Sequence, residues 1–169
     1  MRNEGAKKLA LCAMLTAIAV TINFISTMFP TMSLSIVAIS GFTSAIAISE
    51  CGYKRAILVF VATAILSFLI LPDKQNAVLY LFLFGHYPIT KFFIERIRKP
   101  VAVWAIKLLC ANFFIIAVYF VIMKFFGFNG AVTGTELLFG LLISNAAFVL
   151  YDICLTRLLI MFSNKRFKR

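Results

Sequence analysis

Six apolar stretches, each about as long as a bilayer is thick and parted by short charged or turn-forming breaks, constrain this chain more than any other feature. A helix needs roughly 20 apolar residues to cross the hydrocarbon core. The stretches fall at approximately 8–29, 33–51, 54–71, 76–95, 101–126 and 134–162. The breaks between them are Pro30 to Met32, Glu50 to Arg55, Pro72 to Asn76, Glu95 to Pro100 and Gly127 to Gly134. This pattern predicts an all-α integral membrane protein, residues 1–169 forming a single transmembrane domain of six helices. Because every break is short, successive helices should run antiparallel. The opening MRNEGAKK and the apolar run after it resemble the first two regions of a signal peptide. However, Leu9 to Phe29 is long enough to span, and Asn23 and the Phe29-Pro30 ending do not match a small-residue cleavage site, so the expectation is a retained first helix. Composition agrees: 63% of residues are hydrophobic and 14% charged, where a soluble domain has an apolar share of roughly half.

A net charge of +11 could point to nucleic acid, but that partner needs a basic face on an ordinary polar surface. Here the basic residues sit in short clusters between apolar runs, the arrangement that marks a cytoplasmic side, and no nucleic-acid partner is expected. Six spans put the N-terminus, the second and fourth breaks and the C-terminus on one side. That side collects Arg2, Lys7, Lys8, Lys54, Arg55, Lys91, Arg96, Arg98, Lys99, Lys107, Arg157, Lys165, Arg166, Lys168 and Arg169, leaving Lys74 and Lys124 on the other. Fifteen against two predicts that both termini are cytoplasmic, and adding or removing one span would spread basic clusters over both sides. The terminal NKRFKR reads as an anchor against anionic headgroups. Cys12, Cys51, Cys110 and Cys154 show no CxxC spacing and all fall in the expected inner half, so neither a disulfide nor a metal site is expected.

Polar side chains in hydrocarbon must find partners, so each marks a helix contact or a site. At about 1.5 Å of rise per residue, His86, Asn112 and Asn145 all come near the midplane, on consecutive helices. Asn23, Tyr80 and Tyr119 lie at outer levels. Together these six form the candidate substrate-binding set: amide, imidazole and phenol groups orienting a small molecule between apolar and aromatic walls. The competing reading is that they are only hydrogen-bonding glue between helices. Lys91 and Glu95, four apart, can pair with each other, and Asp152 lies at a depth where Lys107 or Lys91 could neutralise it; a buried structural ion pair is expected rather than a proton relay. Gly85 and Pro88 flank His86-Tyr87 and can kink the fourth helix. Ser33, Ser35, Ser40, Thr43, Ser44 and Ser49 make the second segment too polar for a lipid-facing helix, so it should be enclosed by the others.

In the first segment, Ala6, Ala10, Ala13 and Ala17 recur every three or four residues within AKKLALCAMLTAIAV and form a small-residue stripe that admits close helix approach. The stripe serves either a helix of the same chain or a partner subunit. With its six spans, inward termini and basic-then-alanine opening KKLALCAMLTAIAV, the chain resembles the substrate-binding S components of energy-coupling factor (ECF) transporters. That resemblance implies docking of Ala10, Ala13 and Ala17 on a transmembrane T component, two separate ATPase subunits, and capture of a vitamin-like solute at the outer face of a bacterial or archaeal plasma membrane. It also implies a pocket in the outer half, lined from the first loop and the last three helices, although Pro30 to Ser33 makes a short loop for a lid. The chain holds no GxxxxGK[ST] segment, so an external motor is required. A second class is a small membrane scaffold similar to rod-shape-determining subunits, which binds no ligand. A membrane enzyme fits poorly, because Glu4, Glu50, Asp73, Glu95, Glu136 and Asp152 are scattered one per region instead of clustered.

Overall fold

The computed structural model describes residues 2–97, 99–126 and 134–167, and every regular element among them is helical. The elements are α1 (Arg2–Met28), a single 3-10 turn (Pro30–Met32), α2 (Ser33–Cys51), α3 (Tyr53–Ile70), α4 (Lys74–Leu79), a π-helical turn (Tyr80–Phe84), α5 (Tyr87–Ile94), α6 (Pro100–Phe126) and α7 (Gly134–Phe167). They supply six stretches long and apolar enough to cross a membrane, as expected of a multi-pass membrane protein, the fourth being composite. The boundaries shift modestly: α1 starts earlier than the apolar pattern indicates and α7 runs on to Phe167. The break at 127–133 and the end of the basic tail, 168–169, lie outside the described residues.

Local chemistry explains the joints. Gly52 connects α2 to α3 alone, at φ 87, a backbone conformation that side-chain-bearing residues rarely adopt. Asp73 caps α4 by accepting a hydrogen bond from the Gln75 backbone N–H at 3.0 Å. Lys74 turns back and donates to the Phe68 and Leu71 carbonyls at 2.6 and 2.7 Å, closing the C-terminal end of α3.

The fourth span is not one continuous α-helix. Its ladder widens at the π turn, where the Gly85 N–H reaches back five residues to the Tyr80 carbonyl at 2.7 Å. Pro88 then withholds the N–H that would normally bond the Phe84 carbonyl, which instead accepts from the Tyr151 hydroxyl of α7 at 3.4 Å. Gly41 on α2 makes the same place possible from the other side, since a Cβ there would stand 2.6 Å from that carbonyl oxygen and 2.6 Å from the Tyr151 hydroxyl.

Helix α2 is the central post, touching α1, α3, α4, the π turn, α5 and α7. Ser40, Thr43 and Ser44 are buried, and the Ser40 and Thr43 hydroxyls return to their own backbone at Val37 O and Ser40 O, both at 2.7 Å. The second segment is thus enclosed as expected from Ser40 inward, whereas its start is not: Ser35 is exposed, and Leu34 and Ile39 face outward. In contrast, α6 and α7 are the least covered spans and turn Leu109, Phe113, Phe120, Leu142 and Ile143 outward.

Candidate functional site

Four arrangements in the bundle carry chemistry. At the basic end, where α5 approaches the start of α6 and the second half of α7, Asp152 gathers an ion network. The Lys91 Nζ donates to Asp152 Oδ1, to the Asp152 carbonyl at 3.2 Å and to Thr156 Oγ1 at 2.7 Å, and lies 3.1 Å from Glu95 Oε1. Lys107 Nζ donates to Asp152 Oδ2 at 3.0 Å and to Glu95 Oε1 at 2.8 Å. The Tyr87 hydroxyl donates to Asp152 Oδ1 at 2.6 Å. Two ammonium groups therefore face two carboxylates, with Lys91, Lys107 and Asp152 buried and Glu95 reaching the surface. Such a neutral, fully bonded cluster ties three spans together, and the expected pairing of Asp152 extends to both lysines at once.

Nearer the middle, Asn112 of α6 and Asn145 of α7 form a reciprocal amide pair. Asn112 Nδ2 donates to Asn145 Oδ1 at 3.1 Å and Asn145 Nδ2 donates to Asn112 Oδ1 at 2.9 Å. Each amide also bonds the carbonyl four residues earlier on its own helix, Leu108 at 2.9 Å and Leu141 at 2.8 Å. His86 shares their depth but not their bond. Its Nδ1 lies 3.3 Å from the Leu81 carbonyl, which can only accept, so Nδ1 carries the proton, and the ring packs 4.1 Å from that of Phe114. The crevice beside it holds about 10 Å³, room for one water at most.

The outer-level residues separate. Asn23 is fully buried between α1 and α3, its Nδ2 donating to Ser67 Oγ at 3.1 Å. Tyr80 is fully buried beside α2, with its hydroxyl 3.4 Å from Ser44 Oγ. Tyr119 is exposed on α6. The six candidate residues thus join as the Asn112–Asn145 pair, the Asn23 and Tyr80 region, and two side chains, His86 and Tyr119, bonded to neither.

A space that could hold a small molecule lies elsewhere. A cleft of about 340 Å³ opens between α2, the π turn, α6 and α7, reaching from Leu34 and Ser35 near the Pro30 turn to Tyr151 and Cys154. Its walls are Phe42, Phe84 and Phe148 around the Tyr151 ring, which stacks on Phe42 at 5.4 Å and meets Phe84 edge-on at 5.1 Å. Polar groups are few, Ser35 and Ser144 among them, and none of the six candidate residues lines it. The only sequence signal for these walls was aromatic side chains on one face, Phe148 and Tyr151 three apart, and outward-facing Phe113 and Phe120 carry the same kind of signal.

The alanine stripe is exposed. Ala6, Ala10, Ala13 and Ala17 point away from the bundle, whereas Cys12, Leu15, Thr16, Ala19 and Val20 form the inward face of α1. No other helix of the described chain covers the stripe, and it begins at the end where Cys51 Sγ meets the Lys8 carbonyl at 3.5 Å.

Among known proteins, no family model, curated sequence or solved structure matches the chain.

Proposed function

We propose that this chain is the substrate-binding membrane subunit of an ECF-type importer, taking a vitamin-like solute from outside and relying on separate T-component and ATPase subunits for energy. The observation that carries the reading is the outward alanine stripe at the basic end of α1. A helix seldom leaves four small residues in register on its outer face for lipid alone, because lipid chains gain nothing from a smooth surface while a partner helix gains close approach. The resemblance of KKLALCAMLTAIAV to the S-component opening supports the same assignment. The cleft supplies room for the solute: about 340 Å³ falls at the small end of ligand sites, with aromatic walls and few polar groups. No charged side chain lines it, which favours a neutral, largely apolar solute.

The test has two arms. Ala13→Trp should leave the thermal midpoint of the isolated subunit unchanged, since Ala13 is exposed, yet abolish co-purification with a T component; undiminished co-purification would sink the docking assignment. A panel of neutral vitamins and precursors should contain a compound that raises the midpoint, and a flat response across the panel speaks against solute capture.

A second reading, a ligand-free scaffold, draws support from one observation: Asn112 and Asn145 satisfy each other, as glue between helices does. Under that reading the alanine stripe contacts another scaffold protein and no compound stabilises the chain.

A further inference from the structure

We propose that the seam where α1, α3 and α4 meet is a hydration site, binding water inside the half of the bundle opposite the ion network. Three buried polar atoms lack a close hydrogen-bond partner among the described residues: Asn23 Oδ1, Thr63 Oγ1, which has the Tyr80 hydroxyl beside it, and Asn76 Nδ2. Asn23 and Thr63 are fully buried, and Asn76 is nearly so at 2% exposure.

The three belong to one seam. Asn23 bonds Ser67 at 3.1 Å, and Thr63 stands one turn before Ser67 on the same face of α3. Asn76 of α4 stands one turn before Tyr80 on the same face of the fourth span, and Tyr80 belongs to one buried cluster with Ala64 of α3. The Thr63 and Tyr80 hydroxyls lie beside each other, and one turn toward the joint between α3 and α4 brings Ser67 and Asn76 to the next level. An outer level thus holds Asn23, Ser67 and Asn76, and a level beneath it holds Thr63, Tyr80 and Ser44, whose hydroxyl lies 3.4 Å from that of Tyr80.

The unmatched atoms also define the occupant. Asn23 Oδ1 accepts, Asn76 Nδ2 donates, and the Thr63 hydroxyl does either, so the complement must both donate and accept at short range. Exchanging the two amide atoms of Asn23 only turns its orphan from acceptor to donor. A metal cation does not suit a seam without a carboxylate. A larger solute has no room where Asn23, Ser26, Ser44, Thr63, Ser67 and Tyr80 are all fully buried. Water fits, because it bridges two to four polar groups in a small polar space. In a bilayer, where lipid offers no hydrogen bonds, such a site is the means by which these side chains are satisfied.

Radiolytic hydroxyl-radical labelling of the full-length protein in nanodiscs tests the site, since bound water generates radicals where it sits. Tyr80 should be oxidised with a yield comparable to that of Tyr53, which is 39% exposed at the Gly52 joint, and in ¹⁸O-water the added oxygen should carry the isotope. The label should persist in Thr63→Ser, which keeps the hydroxyl, and be lost in Thr63→Val, which keeps the shape without it. An unlabelled Tyr80 at doses that modify Tyr53 overturns the proposal. So does a Thr63→Val protein that melts higher than wild type, the response of an orphan hydroxyl replaced by a methyl group. Should Thr63→Val fail to fold, the wild-type label alone decides.

Discussion

Asp152 shows how little freedom a charge has in this environment. Its carboxylate accepts from Tyr87, Lys91 and Lys107 together, so removing it leaves two buried ammonium groups to share Glu95. Asp152→Leu is therefore expected to cost about 3 kcal/mol or more, read as a lowered midpoint in thermal unfolding. Adding Lys91→Met should restore much of that loss, because Lys107 keeps its 2.8 Å bond to Glu95 while the unmatched charge disappears. A double variant no more stable than the single one would show that the network is not held together by charge balance. The amide pair permits a similar cycle. Asn112→Leu strands Asn145 and should cost about 1 kcal/mol, whereas Asn112→Leu with Asn145→Leu should recover most of it; a ligand-binding role would instead appear as lost solute stabilisation in the double variant.

Among the elements, the broken fourth span sets the shape of the cleft. The π turn and Pro88 free the Phe84 carbonyl, Tyr151 takes it up, and Gly41 lets α2 close against the same point. A methyl group at position 41 would meet a backbone oxygen at 2.6 Å, which cannot swing aside as a side chain can. Gly41→Ala should accordingly destabilise the fold by about 1–3 kcal/mol and enlarge the separation between α2 and the fourth span, measurable as a lower midpoint together with altered solute binding in the cleft. A variant as stable as wild type would mean that the two spans are not held at contact distance. Sequence pointed to this break through Gly85 and Pro88, but could not give its form, since a π turn depends on how the ladder is shared among neighbours.

At the level of the whole molecule, the sequence carries depth faithfully and direction poorly. Span number and polar level follow from distance along each helix, so the six apolar stretches and the matched heights of Asn112 and Asn145 were legible. The rotation of each helix about its axis depends on all its neighbours at once. For that reason Asn23 and Tyr80 could be placed at an outer level but not in a seam away from Asn112, and the cleft walls Phe42, Phe84 and Tyr151 could not be told from aromatic side chains that face lipid. The enclosure of α2 was legible from its serines, and it bears on biogenesis. As the chain leaves the ribosome, this span emerges after α1 and before α3, α5 or α7 exist to surround it. Two of its three buried hydroxyls, Ser40 and Thr43, already have backbone acceptors within the helix, so α2 can enter lipid early with only Ser44 left to meet Tyr80 of the fourth span. Gly41, by contrast, waits for the fourth span, and the bundle closes around a post that was set down before most of its neighbours.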